Sequence, residues 1–332
     1  KAFMAFAEKC GVIVELALFC PFYEDAQWKL SPLHAANNIN QTGEFKNTDV
    51  YTLDRSGELL QLQEKLVRKI VQELAGYKNL IYEICNEPYF GGVTLDWQHH
   101  IADIIVAEEK QFPNKHLISQ NIANGSAEII NPHPAISVFN FHYGAPPHAV
   151  AKNYHLNKVI GDNETGFAGN KDSTYRREGW QYLLAGGALY NNLDYSFTVG
   201  HEKGDFQYPS TQPGGGSVAL RKQLGCLHDF LAGFDYINMK PDSSFVIGAG
   251  QAIQTVYALA EQGKQYACYF AAGTKGQVAL SIPRGRYTFF WLDPITGKRT
   301  PEEKRDHTGG KLVLTIPAFK EDAALSIIGS TK

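Results

Sequence analysis

Cysteine is scarce in this chain of 332 residues. The five thiols, Cys10, Cys20, Cys85, Cys226 and Cys268, are odd in number and far apart. That excludes a disulfide framework and a zinc ribbon, and leaves buried thiols on strands and helices. Long apolar runs are also missing: none approaches the roughly 20 residues that a membrane-spanning helix needs. Charge of one sign is not in excess, with 31 Lys and Arg against 34 Asp and Glu, so no basic footprint for nucleic acid is present. The phosphate-binding Gly-x-x-x-x-Gly-Lys, the dinucleotide Gly-x-Gly-x-x-Gly and the Gly-x-Ser-x-Gly elbow are all absent. His201-Glu202 is not followed by the second histidine of a zinc protease, since position 205 is Asp. No metal or organic cofactor is therefore expected. The residues from Lys1 onward carry no signal-peptide pattern.

What is present is an alternation. Residues 1–10 fit an amphipathic helix closed by Gly11, and Val12 to Cys20 is a near-continuous apolar run of the kind a covered parallel strand requires. A long loop, 21–55, contains Trp28 and His34; loops of that length in compact domains are usually functional. Leu59, Leu62, Leu66, Ile70 and Leu74 mark a helix. Strands are expected at 80–86, 116–121, 136–142, 158–164 and 189–198. The helices between them are expected around Trp97–Ile105, near 126–130, near 147–155 and at 173–186, with a last one at Val218–Ala232. Strands alternating with helices predict a parallel sheet with helices outside. After about residue 243 the pattern becomes six short strands separated by turn signals, which predicts a small all-β sandwich. The expected domains are residues 1–242 and residues 243–332.

Two strand endings carry chemistry. Leu80-Ile-Tyr-Glu-Ile-Cys-Asn-Glu-Pro88 is an apolar strand that delivers Asn86 and Glu87 to a turn. Lys158-Val-Ile-Gly-Asp-Asn-Glu-Thr-Gly166 delivers Glu164, with Asp162 at the same strand parity, so that both point to one face. Asp162 reads as structural or sugar-binding rather than catalytic. Two strand-end carboxylates are the minimum equipment for cleaving a glycosidic bond. Partial desolvation at an apolar rim suits one of them to proton donation. His142 and Tyr143 close another strand and offer hydrogen bonds to a carboxylate. Trp28, Asn121, His201 and Glu202 lie in or beside strand-to-helix connections and are expected substrate contacts, because sugars present both hydroxyls and apolar C–H faces.

At these residues the chain resembles the retaining glycoside hydrolases of clan A, the cellulase-like (β/α)8 enzymes. The carriers are Tyr82-Glu-Ile-Cys-Asn-Glu-Pro88, Phe141-His-Tyr143 and Gly161-Asp-Asn-Glu-Thr-Gly166. The resemblance covers about residues 1–240. It implies a TIM barrel in which 80–86 is the fourth strand, 136–142 the sixth, 158–164 the seventh and 189–198 the eighth. Val12–Cys20 is then the third, and the first two β/α units are expected to be absent from this sequence. It further implies that Glu87 is the acid/base and Glu164 the nucleophile, about 5–5.5 Å apart. Asn86 would touch the sugar 2-hydroxyl, and His142 and Tyr143 would lie near Glu164. Two departures affect the substrate. The sugar-binding Trp usual after the eighth strand is replaced by Tyr195-Ser-Phe197, and the Arg usual on the second strand has no counterpart.

The resulting expectation is a retaining β-glycosidase acting on a polysaccharide or oligosaccharide. Its rivals are a catalytically silent carbohydrate-binding barrel and a transglycosylase using the same residues. Asn163-Glu-Thr165 is a formal glycosylation sequon beside Glu164, where a glycan would block the site. This favours a bacterial source and, with a polysaccharide substrate, a secreted or periplasmic location.

Overall fold

The computed structural model describes all residues except 210, 251, 252, 254, 272–275, 331 and 332. The chain divides into two compact units. One holds residues 1–142 and 156–160; the other holds residues 143–155 and 161–332.

In the first unit, α1 (Ala2–Lys9) ends where Gly11 takes φ +70° and Val12 N–H returns to the Ala7 carbonyl. Then come β1 (Val14–Phe19), α2 (Asp25–Leu30), α3 (Glu58–Leu74), β2 (Leu80–Cys85), α4 (Leu95–Glu109), β3 (Leu117–Asn124) and β4 (Val138–His142). Helix α3 buries Leu59, Gln63, Val67 and Val71, one residue per turn along a single face. Helix α4 starts at Thr94, whose hydroxyl accepts from Trp97 N–H, and buries Trp97, Ile101, Ile104 and Ile105. Strands β1, β2, β3 and β4 pair in parallel. Strand β2 is buried along its whole length, as its apolar run predicts. Strand β1 is not: it lies at the sheet edge with β2 as its neighbour, and the preceding Ile13 is 68% exposed.

Strand β5 (Val159–Glu164) begins in the first unit and ends in the second. Helices α5 (His148–Asn153), α6 (Asp172–Leu184) and α7 (Val218–Leu231) and the short β6 (Leu189–Tyr190) complete the α/β part. The six strands form one sheet in chain order, β1 to β6. The sequence-predicted alternation is thus present as a six-stranded parallel sheet.

Two expected elements differ. The strand at 189–198 is regular only through Tyr190: Asn191 N–H and Leu193 N–H still reach the Asp162 and Thr165 carbonyls, but Asn191 Nδ2 takes the intervening Asn163 carbonyl and Asp194 Oδ1 accepts Ser196 N–H. No helix forms at 126–130. That stretch lies between Gly125, at φ +73°, and Pro132, too short a span to nucleate a helix.

Antiparallel structure begins at β7 (Lys240–Pro241). It continues through β8 (Val246–Ala249), β9 (Thr255–Glu261), β10 (Gln265–Ala271), β11 (Gly276–Ile282), β12 (Gly285–Leu292), β13 (Glu303–His307), β14 (Gly310–Ile316) and β15 (Ala323–Gly329). The residue pattern predicts one of the six short strands from Ile253 and a turn at 273–276; of these, residues 254 and 273–275 lie outside the described residues. Three strands escape the hydrophobic pattern: β7, β8 and β13. The last reads Glu-Lys-Arg-Asp-His and forms a charged sheet edge, which discourages pairing with another chain.

One sheet runs β13-β12-β15-β10-β9-β7 and the other β14-β11-β8. Side chains from both, including Phe270, Trp291 and Leu325 from the first and Leu280, Leu312 and Leu314 from the second, form one core. The opposite face of the larger sheet packs on α6 and α7: Trp180, Leu184, Leu227 and Phe230 meet Tyr269, Leu259 and Leu292. No helix among the described residues is long and apolar enough to cross a membrane.

Candidate active site

Glu87 follows β2 by two residues. Phe19 carbonyl accepts Asn86 N–H at 2.9 Å, so the chain stays in the sheet until Asn86 and turns at Glu87. Glu87 has φ +42°, a left-handed conformation that costs a non-glycine residue about 1–2 kcal/mol. Such strain persists only where the surroundings over-determine it.

Here they do. Glu87 Oε2 accepts the Tyr23 hydroxyl at 2.6 Å. Oε1 lies 3.2 Å from the Tyr89 hydroxyl and 3.3 Å from His142 Nδ1. Tyr23 also receives Asn86 Nδ2 at 3.3 Å, and Tyr89 donates to Asn124 Oδ1 at 2.5 Å. Burial, and then the Glu87 carboxylate, push the Tyr23 phenol up, so it remains the donor at any ordinary pH. Asn86, Glu87 and His142 are therefore brought together by the ends of β2 and β4.

Glu164 is the last residue of β5. Its Oε1 accepts the Tyr143 hydroxyl at 2.7 Å, and its carbonyl accepts Tyr143 N–H at 2.7 Å. Tyr143 is also left-handed, at φ +53°. Its ring packs 5.5 Å from that of Phe167, which is 73% exposed and itself left-handed. An exposed aromatic face of this kind can stack on a flat apolar ligand face.

Behind Glu164, Thr165 Oγ1 donates to Glu178 Oε2 of α6 at 3.0 Å. Asp162, fully buried, accepts Gly144 N–H at 3.1 Å, and burial pushes its pKa up to about 8. A group raised in the folded state stabilises most below its unfolded value, here 3.8, and that contribution is lost as pH rises through about 8. The unfolding free energy of the wild type should therefore fall between about pH 4 and 8 relative to Asp162→Asn. Urea titrations at several pH values would measure it; parallel curves for the two proteins would show that Asp162 ionises normally.

Trp28 is 2% exposed. Its indole N–H donates to the Phe45 carbonyl and its ring packs against Phe22 and His34, inside the 21–55 loop. Asn121 is 1% exposed on β3, and neither of its amide atoms has a hydrogen-bond partner among the described residues. His201 and Glu202 bond within their own loop, to Asp205 Oδ1 and to Gly200 N–H. His142, at the end of β4, directs Nδ1 at Glu87.

Tyr23 is the residue sequence reasoning missed. It follows β1 in Cys20-Pro-Phe-Tyr23, and an aromatic placed just past a parallel strand is the signal that would have found it. Tyr23→Phe removes a hydrogen bond that orients the Glu87 carboxyl group, so kcat/KM should fall roughly 10-fold with the fold intact. An unchanged kcat/KM on any turned-over glycoside would show that the phenol is idle.

No protein-family model and no curated protein matches the chain, but solved structures do. One described as a glycoside hydrolase superposes with a TM-score of 0.65 at 15% identity, over 99% of this chain and 89% of that one. A putative glycoside hydrolase from Bacteroides vulgatus ATCC 8482 gives 0.66 at 14% identity, over 99% of this chain and 62% of that one. A family 5 glycoside hydrolase from the same organism gives 0.56 at 13%, over 82% and 69%. At these identities the likeness is one of fold. The chain has the fold of glycoside hydrolases, in keeping with the clan A cellulase-like resemblance.

Proposed function

We propose that this chain is a retaining β-glycosidase with Glu87 as acid/base and Glu164 as nucleophile, on a (β/α)8-type barrel followed by a β-sandwich. The observation that carries the reading is that both glutamates close strands of one parallel sheet and each carboxylate accepts a tyrosine hydroxyl, from Tyr23 and Tyr143 respectively. Parallel α/β enzymes keep their chemistry at that end of the strands. Phenol donors hold a carboxylate's orientation without adding charge.

In the first step Glu164 attacks the anomeric carbon while Glu87 gives its proton to the departing glycosidic oxygen. In the second, Glu87 takes a proton from water, which displaces Glu164 from the glycosyl-enzyme. Asn86, held by Tyr23, faces the sugar 2-hydroxyl, and His142 fixes the Glu87 carboxylate. Phe167 stacks on a sugar ring. The substrate is a polysaccharide or oligosaccharide, and export from a bacterial cell fits such a substrate.

The test is the stereochemistry of the first-formed sugar, followed by NMR across a panel of plant and algal polysaccharides and aryl β-glycosides. A β-anomer first supports the double displacement; an α-anomer first would overturn it in favour of inversion. Binding without release of reducing ends would favour a carbohydrate-binding protein, and products longer than the substrate a transglycosylase.

A further inference from the structure

Asp162 takes no part in the bond-breaking steps, yet its placement is demanding. It is 0% exposed and lies two residues before Glu164 on the same face of β5. Its Oδ2 accepts Gly144 N–H, and its Oδ1 has no hydrogen-bond partner among the described residues. Gly144 has no slack: a Cβ there would lie 3.0 Å from Tyr182 Cε2 and 3.2 Å from Asp162 Oδ2. Tyr182 is in turn tied to β5 by its hydroxyl, which donates to the Gly161 carbonyl at 2.9 Å.

Tyr143 stands immediately before Gly144 in a left-handed conformation, so something must hold the turn in that state. Two successive backbone N–H groups do so. Tyr143 N–H goes to the Glu164 carbonyl and Gly144 N–H to the Asp162 carboxyl. The phenol that results from this turn reaches Glu164 Oε1.

We propose that Asp162 is a positioning residue: by accepting Gly144 N–H it locks the turn that aims the Tyr143 hydroxyl at Glu164. Its kinetic consequence rests on the reading of Glu164 as nucleophile; the geometric one does not. The acid does this without bringing a second negative charge beside Glu164. Burial raises its pKa, the carboxylates of Glu178 on α6 and Glu164 on β5 raise it further, and Gly144 N–H opposes them. The other titratable groups that sense it are the phenols of Tyr182 on α6 and Tyr190 on β6.

The test compares Asp162→Asn, Asp162→Ala and Asp162→Ser by crystallography and kinetics. Asn keeps an uncharged acceptor for Gly144 N–H. The Tyr143 Oη to Glu164 Oε1 distance should stay near 2.7 Å, with kcat within about 3-fold of wild type. Ala has no acceptor and Ser one too short to reach. In both, the phenol should leave Glu164 and kcat should fall roughly 10- to 100-fold with little change in KM. Added to Tyr143→Phe, the same substitutions should cost almost nothing further, because the group they position is gone. If Ala does not fold, Ser decides.

A Tyr143–Glu164 bond intact in Ala or Ser overturns the proposal, as does a full additional loss in the Tyr143→Phe background. If the wild type hydrolyses no glycoside, the glycosidase reading fails, and the Tyr143–Glu164 distances alone settle the positioning role.

Discussion

Replacing Glu164 by Gln should lower kcat by about 10⁴- to 10⁶-fold, the loss typical of removing a covalent nucleophile. Gln is isosteric and its Oε1 still accepts the Tyr143 hydroxyl, so the fold and the local turn should survive, as circular dichroism would verify. On the proposed mechanism, what disappears is the oxygen that would bond to the anomeric carbon.

Glu87→Gln should behave differently. Its loss, about 10²- to 10⁴-fold on polysaccharide, is that of a general acid. It should shrink on aryl glycosides whose leaving group departs without a proton. Glycosyl-enzyme should then accumulate, because the second step still needs a base. The contrast separates the two roles. Equal hydrolysis by wild type and Glu164→Gln would remove Glu164 from the mechanism, and leaving-group sensitivity in Glu164→Gln instead would exchange the assignments.

The second large effect lies away from the site. Arg176 of α6 is 2% exposed and Asp322, just before β15, is fully buried. Arg176 Nε meets Asp322 Oδ2 at 3.1 Å, Nη2 meets Glu321 Oε2 at 2.9 Å, and Nη1 meets Gln223 Oε1 of α7 at 3.0 Å. Tyr269 of β10 gives Asp322 a further hydrogen bond at 2.7 Å. Removing one member of such a group leaves the other charge buried without compensation, at a cost of about 3–5 kcal/mol.

Arg176→Met should therefore shift the urea midpoint sharply downward. Adding Asp322→Asn should recover much of the loss, since the orphaned charge goes with it. A midpoint within error of wild type would mean that water reaches Asp322 and that α6 and the larger antiparallel sheet are joined by apolar packing alone. The expected loss makes the antiparallel module part of the fold that carries Glu164, since Glu178 on the same helix holds Thr165.

The legibility of these features in the chain is uneven, for physical reasons. Burial of β2 on both faces forces a continuous apolar run, so the strand and the acids that end it stand out locally. Strand β13 does not stand out, because a charged edge strand needs no apolar face. Residue types alone predict a strand over 189–198. Beyond Tyr190, asparagine and aspartate side chains compete for the backbone groups that a regular ladder would use.

What the sequence by itself determined is the alternation of parallel strands and helices, the change to antiparallel strands near residue 240, and the two strand-end glutamates. Each of these is written in a periodicity or a short motif, because local burial and turn chemistry act over a few residues. What only the tertiary structure decided is the company those glutamates keep. Tyr23 reaches Glu87 from 64 residues away, and Arg176 reaches Asp322 across 146. Hydrogen bonds of that kind depend on where the backbone returns in space, and no local pattern of residues records it. The same holds for the turn that Asp162 secures, where a buried carboxyl, a glycine with no room for a side chain and a strained tyrosine become one arrangement only after β5 is paired.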